Sequence, residues 1–354
     1  RIGSRAATGE PFRHRLLEQV IEPMTTRAEI KYKLEQTRIF VATVSSMQGK
    51  SELFHLIPFD VAIMDEASQL LEPAVVGLLT RFKKTILIGD HMQLPAVSMQ
   101  PERMSRIKPG QDWCERIGIT DMSMSYFERL YRLYQARGWH HLIGILKEQG
   151  RMHTDIMRFA NQHVYQGILQ VVDHHRQGAS FSELFDGETS ALFKQRLLYV
   201  PSSARLEETY LKTNQQEAAI TINLVSIWLE KIKANKLNWS IGVITPFRAQ
   251  IAAITYLAHL QNVDLSHVTI DTVERYQGGA RDIIIMSSAV NSQQALSRIT
   301  SENSDGVDRK LNVAVTRARQ QFILIGSEAI LQTAAAYKSL IGMCGRLENI
   351  FVDA

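Results

Sequence analysis

The chain has few of the residues that staple or anchor a fold. Only two cysteines, Cys114 and Cys344, occur in 354 residues. They stand in no C-x-x-C spacing, which excludes a disulfide framework and a zinc knuckle. Two distant thiols fit a reducing compartment, and a cytoplasmic location is expected. No apolar run approaches the roughly 20 residues that span a bilayer, so no membrane helix is expected. The opening RIGSRAATGEPFRHR has basic residues with no apolar stretch behind them, so it is not expected to be a secretory signal. It also lacks an initiator Met, and the chain is expected to be an excised or processed piece of a longer protein. Neither a low-complexity tract nor a repeat of fixed period is present. Neither sign of charge dominates: 40 Lys and Arg against 36 Asp and Glu leave a formal +4, which permits a polyanionic partner without requiring one. The adjacent His174 and His175 point apart in any regular element, so they make a poor metal pair.

A hydrophobic share of 45% with 21% charged residues excludes a disordered chain. The length is roughly two to three times that of a usual domain, and two domains are expected, with a boundary near Trp139. Arg13–Gln36 is polar and helix-favouring, and Arg38–Val44 (RIFVATV) reads as a buried strand. Val61–Met64 and Thr85–Ile88 read as further strands. Between them Leu70–Phe82 is expected as a helix with Leu70, Leu71, Ala74, Val75, Leu78, Leu79 and Phe82 on one stripe. Strand, helix, strand implies parallel pairing. A polar interval around Pro101–Asp112 precedes an expected helix over Tyr126–Leu146. A second series follows: strands Arg196–Val200, Ile241–Thr245, Asp282–Ser288 and Phe322–Ile325, and helices Gln215–Lys231, Ala249–Leu260 and Leu311–Arg319. Val172–Ser190 and Asn291–Arg309 are polar and are expected as surface insertions.

Asp65 and Glu66 follow directly on VAIM, at the carboxyl end of an expected strand, where open parallel sheets bind ligands. An Asp there can hold Mg²⁺ through water while the neighbouring Glu orients or deprotonates an attacking water. By itself the pair reads nearly as well as an acidic loop that caps the next helix through Ser68. A second feature follows the third strand, where Gly89–Pro95 reads GDHMQLP.

With both in place the sequence resembles the superfamily 1 helicases, in the branch of the nonsense-mediated-decay helicases and their bacterial relatives. In that family DEASQ is motif II and GDxxQLP is motif III, so the resemblance gives Gln93 the sensing of the γ-phosphate of ATP. It continues in the family's order through EQGRMH (Glu148–His153), GVITPFRAQ (Gly242–Gln250), DTVERYQGGARDIII (Asp271–Ile285) and LNVAVTRAR (Leu311–Arg319). Arg151 would reach the γ-phosphate, Arg317 would act as an arginine finger across a cleft, and Gly278 and Gly279 would line the nucleotide. Taken singly, either arginine reads as an ordinary surface residue; the ordered set is what lends them a role. The same positions imply nucleic-acid contacts by Thr43, Pro95, Thr245, Pro246, Phe247, Arg248, Thr272 and Tyr276. For Phe247 and Tyr276 individually, core packing is at least as good a reading as base stacking.

One expected part is missing. No complete G-x-x-x-x-G-K-[ST] phosphate loop occurs in these residues. Gly49–Lys50–Ser51 reads GKS after the expected strand, but Val44 holds the place of the first glycine, and the short chain between Lys50 and Asp65 leaves little room for the usual helix and strand. Truncation upstream of Arg1 is the expected account. Gly150 stands where many relatives carry an aromatic, and Ala280 where many carry an acid, so weak discrimination among bases and sugars is expected.

The expected fold is α/β, two RecA-like parallel-sheet domains of a P-loop NTPase helicase core, the first incomplete. Residues 1–139 would hold the C-terminal part of the first domain with motifs II and III, and residues 140–354 the second with motifs IV to VI. The resemblance implies a helicase or translocase using ATP and Mg²⁺, with Asp65 holding the metal, moving 5′ to 3′ on single-stranded nucleic acid, DNA rather than RNA, and inactive as this piece alone. Two alternatives stand beside it: a non-enzymatic RecA-like module that binds nucleic acid or a partner, and a compact NTPase of another class built on GKS.

Overall fold

A computed structural model describes residues 1–348 except 101, 109, 111, 186, 209, 303 and 304. Pro101, Pro109 and Gln111 of the expected polar interval, Asp186 of the first expected insertion, and Asn303 and Ser304 of the second lie outside the described residues. The chain divides into two compact units, Arg1–His91 with Pro95–Ile143, and Met92–Leu94 with Gly144–Ala354.

The first unit pairs β1 (Phe59–Met64) in parallel with β2 (Phe82–Leu87), Ile63 opposite Ile86 and Met64 opposite Leu87. The helix between them is Glu72–Leu79, shorter than the stripe suggested. Pro73 in its first turn fixes where it begins, and the chain leaves it at Thr80 so that Phe82 can open β2. Of the expected stripe only Val75 and Leu78 are buried. A second helix, Tyr126–Ala136, ends well short of Leu146. Its Arg129 clasps Glu72 with two bonds of 2.7 Å each, a planar fork on a carboxylate.

Arg38–Val44 is not a strand. Among the described residues its one pairing is a bridge between Ile2 and Ala42, and Ile39 and Val41 are 79% and 57% exposed. Among the described residues the β-branched run has no neighbouring strand along its length, and Thr43 diverts it. The Thr43 hydroxyl accepts from the Ser46 N–H at 3.1 Å and opens a helix, Val44–Gln48, as N-cap threonines do. Upstream, the expected helix over Arg13–Gln36 is broken into Leu17–Ile21 and Arg27–Gln36. The latter opens with a reciprocal capping box between Thr26 and Glu29.

The second unit carries a short pair, β3 (Glu148–Gln149) with β4 (Gln170–Val171), and a six-stranded parallel sheet. Its strands are β5 (Leu197–Pro201), β6 (Ile241–Ile244), β7 (Val268–Asp271), β8 (Arg281–Ser287), β9 (Ala318–Gly326) and β10 (Gly345–Arg346). Their spatial order is β10-β5-β9-β8-β6-β7. Side chains alternate between the faces. Leu197, Tyr199, Ile284, Met286, Phe322 and Leu324 join the core beneath helices Thr154–His163, Arg309–Thr316 and Ala335–Met343. Leu198, Val200, Ile283, Ile285, Ile323 and Ile325 join the opposite core under helices Gln215–Ala234 and Arg248–Leu260. Both faces are filled, as parallel sheets require.

The expected insertion Val172–Ser190 is not purely surface. Phe181 and Phe185 are 2% and 3% exposed and pack with Trp228 and Trp239 at ring separations of 5.6 to 6.3 Å. In the second expected insertion Leu296 and Ile299 are likewise buried. Short apolar contributions inside polar sequence produce no periodicity, so only packing reveals them.

At the carboxyl ends of this sheet lies a buried acid, Glu217. Its carboxylate accepts from the hydroxyls of Ser202 (3.2 Å), Ser287 (2.9 Å) and Ser288 (3.2 Å), and from the Ala289 N–H (2.8 Å). Burial pushes its pKa up from 4.5 to about 7, against the pull of those four donors. The folded state therefore binds this proton more tightly than the unfolded chain does. The stabilisation is fully present below about pH 4.5 and is lost as pH rises through about 7. Measured against Glu217→Gln, which cannot titrate, the wild-type urea midpoint is expected to fall across that window and then level off. Parallel pH curves for the two proteins would contradict it.

Candidate nucleotide site and strand-contact edge

Asp65 and Glu66 leave β1 in a tight turn. Glu66 lies in the left-handed region, with φ 53, unfavourable for a residue with a Cβ. The turn is held by the Asp65 carboxylate, which accepts from the Glu66 N–H at 3.0 Å, and by the Gln69 amide, which donates to Glu66 at 2.8 Å. The Ala67 N–H bonds the Ile88 carbonyl and the Ile88 N–H bonds the Met64 carbonyl, both at 2.8 Å. Motif II is thus laced to the end of β2. Asp65 and Glu66 are exposed, so the turn presents both carboxylates to solvent. An exposed carboxylate fits Mg²⁺, which takes one or two carboxylates and keeps much of its water. Among the described residues no group of three or more His, Cys, Asp or Glu side chains gathers at metal-binding spacing.

The DEAS turn presses on the GD step of motif III. The Asp90 N–H bonds the Ser68 hydroxyl at 3.3 Å, and a Cβ on Gly89 would lie 2.9 Å from the Ser68 backbone nitrogen. No side chain fits there without moving the turn.

In the second unit the structure brings Gln93, Arg151, Gly279 and Arg317 together at the amino ends of β8 and β9. Arg317 is 2% exposed. Its guanidinium donates to the Gln93 side-chain carbonyl at 2.8 Å and to the Gly279 carbonyl at 3.3 Å. Arg151 is exposed on the same corner and donates to the Thr316 carbonyl at 3.3 Å. Gly278 adopts φ 80, a turn that glycine makes without strain, and this aims the Gly279 carbonyl at Arg317. Arg317 is therefore tucked in and hydrogen-bonded, and not a finger projecting into solvent.

Two neighbours were invisible as site residues in the sequence. Asn312 donates to the Met92 carbonyl at 2.9 Å and so holds the motif III segment; a lone amide inside LNVAV was the available signal. His153 steadies the segment beside Arg151. Its Nδ1 accepts from the Asp155 N–H at 3.1 Å, so Nε2 carries the proton towards the Ala179 carbonyl at 3.0 Å. Burial, and then the nearby Arg196 charge, lower its pKa below 6.5.

GKS is not placed as a phosphate loop. Gly49 follows the helix Val44–Gln48 and its N–H bonds the Ser45 carbonyl at 3.1 Å. The run closes a helix, whereas a phosphate loop opens one with free N–H groups.

The nucleic-acid candidates divide. Thr43 and Pro95 are exposed in the first unit. In the second, Thr245, Pro246, Phe247 and Arg248 follow β6 and Thr272 follows β7, all at the carboxyl ends, the opposite edge of the sheet from the arginines. Arg248 is exposed and Pro246, Phe247 and Thr272 are half-buried. Two expectations need correction. Thr245 is fully buried, below the surface that a strand could touch. Tyr276 is 3% exposed in the core, with its hydroxyl on the Thr269 carbonyl, so its ring packs and does not stack on a base.

Gly89→Ala is expected to destabilise the protein by about 1–3 kcal/mol, the usual cost of forcing a methyl group into a filled space. Urea unfolding checks it. An unchanged midpoint would mean that the DEAS turn yields freely.

The chain matches an AAA-domain family over residues 122–329 and a second AAA-domain family over residues 14–101. It is 29% identical over 328 residues to the DNA polymerase alpha-associated DNA helicase A of Saccharomyces cerevisiae, covering 86% of this chain and 44% of that protein. To the DNA replication ATP-dependent helicase/nuclease DNA2 of Gallus gallus it is 30% identical over 289 residues, covering 81% and 25%. To helicase sen1 of Schizosaccharomyces pombe it is 26% identical over 348 residues, covering 92% and 19%. The chain spans less than half the length of these relatives. With a family match across more than half of its residues and motifs II to VI in order, the chain belongs to the AAA-domain family of superfamily 1 helicases, in the branch of helicase sen1 and the nonsense-mediated-decay helicases.

Proposed function

We propose that this chain forms part of an ATP-driven helicase or translocase that moves 5′ to 3′ on single-stranded nucleic acid, with DNA as its substrate. Residues 1–139 would carry the end of the first RecA-like domain and residues 140–354 the second. The observation that carries the reading is the cluster of Gln93, Arg151 and Arg317, in which Arg317 already bonds Gln93 at 2.8 Å. A guanidinium pair beside a glutamine amide is suited to sensing and neutralising a terminal phosphate.

In this reading Asp65 holds Mg²⁺ and Glu66 orients the attacking water and takes its proton. Bound Mg²⁺ would neutralise phosphate charge as it develops. Arg151 and Arg317 stabilise the transferring phosphoryl group. Gln93 exchanges its bond to Arg317 for one to the phosphate, so that hydrolysis is felt by the motif III segment. Gly278 and Gly279 form the turn that lines the nucleotide. Thr43, Pro95, Pro246, Phe247, Arg248 and Thr272 contact the strand through its backbone and bases. A motor that steps past every base has no use for sequence readout, and the reading assigns none.

No complete phosphate loop occurs in these residues, and Gly49–Ser51 ends a helix. The isolated chain is therefore expected to show no ATP turnover, with or without single-stranded DNA. Turnover that is stimulated by DNA and abolished by Lys50→Ala would overturn this, and would make Gly49–Ser51 a phosphate site. Strand binding that persists with no turnover in any form of the protein would favour the non-enzymatic module instead.

Gly150 has open space where a side chain would stand and offers no ring to stack on a base, and Ala280 offers no acid to a ribose. A form of the protein that hydrolyses ATP is expected to use GTP, CTP and UTP at rates within about tenfold of ATP, because little binding energy separates the bases. Strict preference for ATP would place base recognition elsewhere.

A further inference from the structure

The carboxyl edge of the six-stranded sheet is held by a network of buried polar groups that the reading above does not use. Glu217 lies in the first turn of the helix Gln215–Ala234, whose N-cap is Asn214. A glutamate there commonly faces water and favours the helix dipole. Here Glu217, Asn214, Gln250 and Ser287 are all 0% exposed, and Asn291 is 1% exposed.

Three loops meet on these side chains. After β5, Ser202 donates to Glu217 at 3.2 Å. After β8, Ser288 and the Ala289 N–H donate to it at 3.2 and 2.8 Å, and Ala289 is thereby held at φ 49, a conformation that costs energy for a residue with a Cβ. From β8, Ser287 donates to Glu217 at 2.9 Å and accepts from the Gln250 amide at 3.1 Å. Gln250 also bonds the Asn214 backbone twice, accepting its N–H at 2.8 Å and donating to its carbonyl at 3.0 Å. Asn291 accepts from the Asn214 amide at 2.8 Å and from the Arg205 N–H at 3.0 Å.

Gln250 stands two residues after Arg248, in the first turn of the helix Arg248–Leu260. The loop Thr245–Arg248 is thus tied through Gln250 and Ser287 to one carboxylate. The network is too deep to touch a ligand, while the loops it ties present exposed groups, among them Arg248 and Tyr210, the latter 94% exposed.

We propose that Glu217 is a positioning residue for strand binding: through Ser287 and Gln250 it fixes the loop that presents Pro246, Phe247 and Arg248 to a single strand. This rests on the strand-contact reading above. A glutamine at this position can keep the arrangement, its carbonyl accepting from Ala289 while its amide donates to the Ser202 and Ser288 hydroxyls. Alanine leaves the Ala289 N–H buried without a partner and opens a cavity.

The test is the affinity of the full chain for fluorescein-labelled oligo(dT), measured at about 0.1 M salt, where exposed charges are moderately screened, beside melting curves for each protein. Glu217→Gln is expected to bind within about twofold of wild type, and Glu217→Ala and Gln250→Leu to bind roughly tenfold more weakly while still folded, a change of about 1.4 kcal/mol. Ile323→Val, a core change in β9 outside this hydrogen-bond network, serves as the control for lost stability. If Glu217→Ala does not fold, Gln250→Leu decides, because it severs the link and leaves the carboxylate in place. Wild-type affinity in the link-severing variants, or an equal loss in the Ile323→Val control, would overturn the positioning role. No binding by the wild-type chain would remove the strand-contact reading and this inference with it, whereas binding that is lost with Arg248→Ala but not with Gln250→Leu would remove the inference alone.

Discussion

A parallel sheet covered on both faces can offer chemistry only at its two ends, and the second unit is organised by that constraint. Its strands alternate side chains into two dry cores, which leaves no room on either face for a ligand. Polar groups are therefore expelled to the strand ends, where backbone donors and acceptors lose their neighbours. The amino ends of β8 and β9 gather Arg151, Gly279, Arg317 and Gln93. The carboxyl ends gather the network around Glu217 and the loops after β6 and β7. In the proposed reading, charge chemistry and strand contact thus fall on opposite edges of one sheet. A displacement felt at one edge has a stiff body to travel through.

The first unit relies on a local device. Its sheet has two strands, and motif II is shaped by a turn whose Glu66 takes a left-handed conformation. That strain is held by the lacing of Ala67 and Ile88 and by the absence of a side chain at Gly89. The GD of motif III thus serves a packing purpose: the glycine admits the Ser68 backbone, and the aspartate N–H bonds the Ser68 hydroxyl. The two motifs are consecutive in sequence and interlocked in space.

Much of the architecture could be read from the chain. VAIM and DIIIM lie within parallel strands, and TILI overlaps one, its Ile88 falling just past the end of β2. The helices Gln215–Ala234 and Arg248–Leu260 match their expected spans to within three residues at either end. Errors arose where burial depended on partners remote in sequence. RIFVATV has strand composition but no strand beside it, and Thr43 turned it into a helix start. Phe181 and Phe185 sit in a polar segment, yet they complete an aromatic cluster with Trp228 and Trp239. Thr245 and Tyr276 stand in motifs that suggest contact, and both are packed inside.

The sequence by itself determined the α/β class, the order of the motifs and the residue types available for phosphate chemistry, because periodicity and motif spacing are local properties of the chain. Only the tertiary structure decided which polar groups are exposed and which are spent on holding the fold. Arg317, Glu217 and Gln250 carry side chains that favour water, and they are buried because donors and acceptors from distant segments converge on them. Their desolvation is compensated by partners brought together only when the sheet forms, up to 86 residues apart for the Glu217 network and 224 for Arg317 and Gln93, and no local pattern encodes such a pairing.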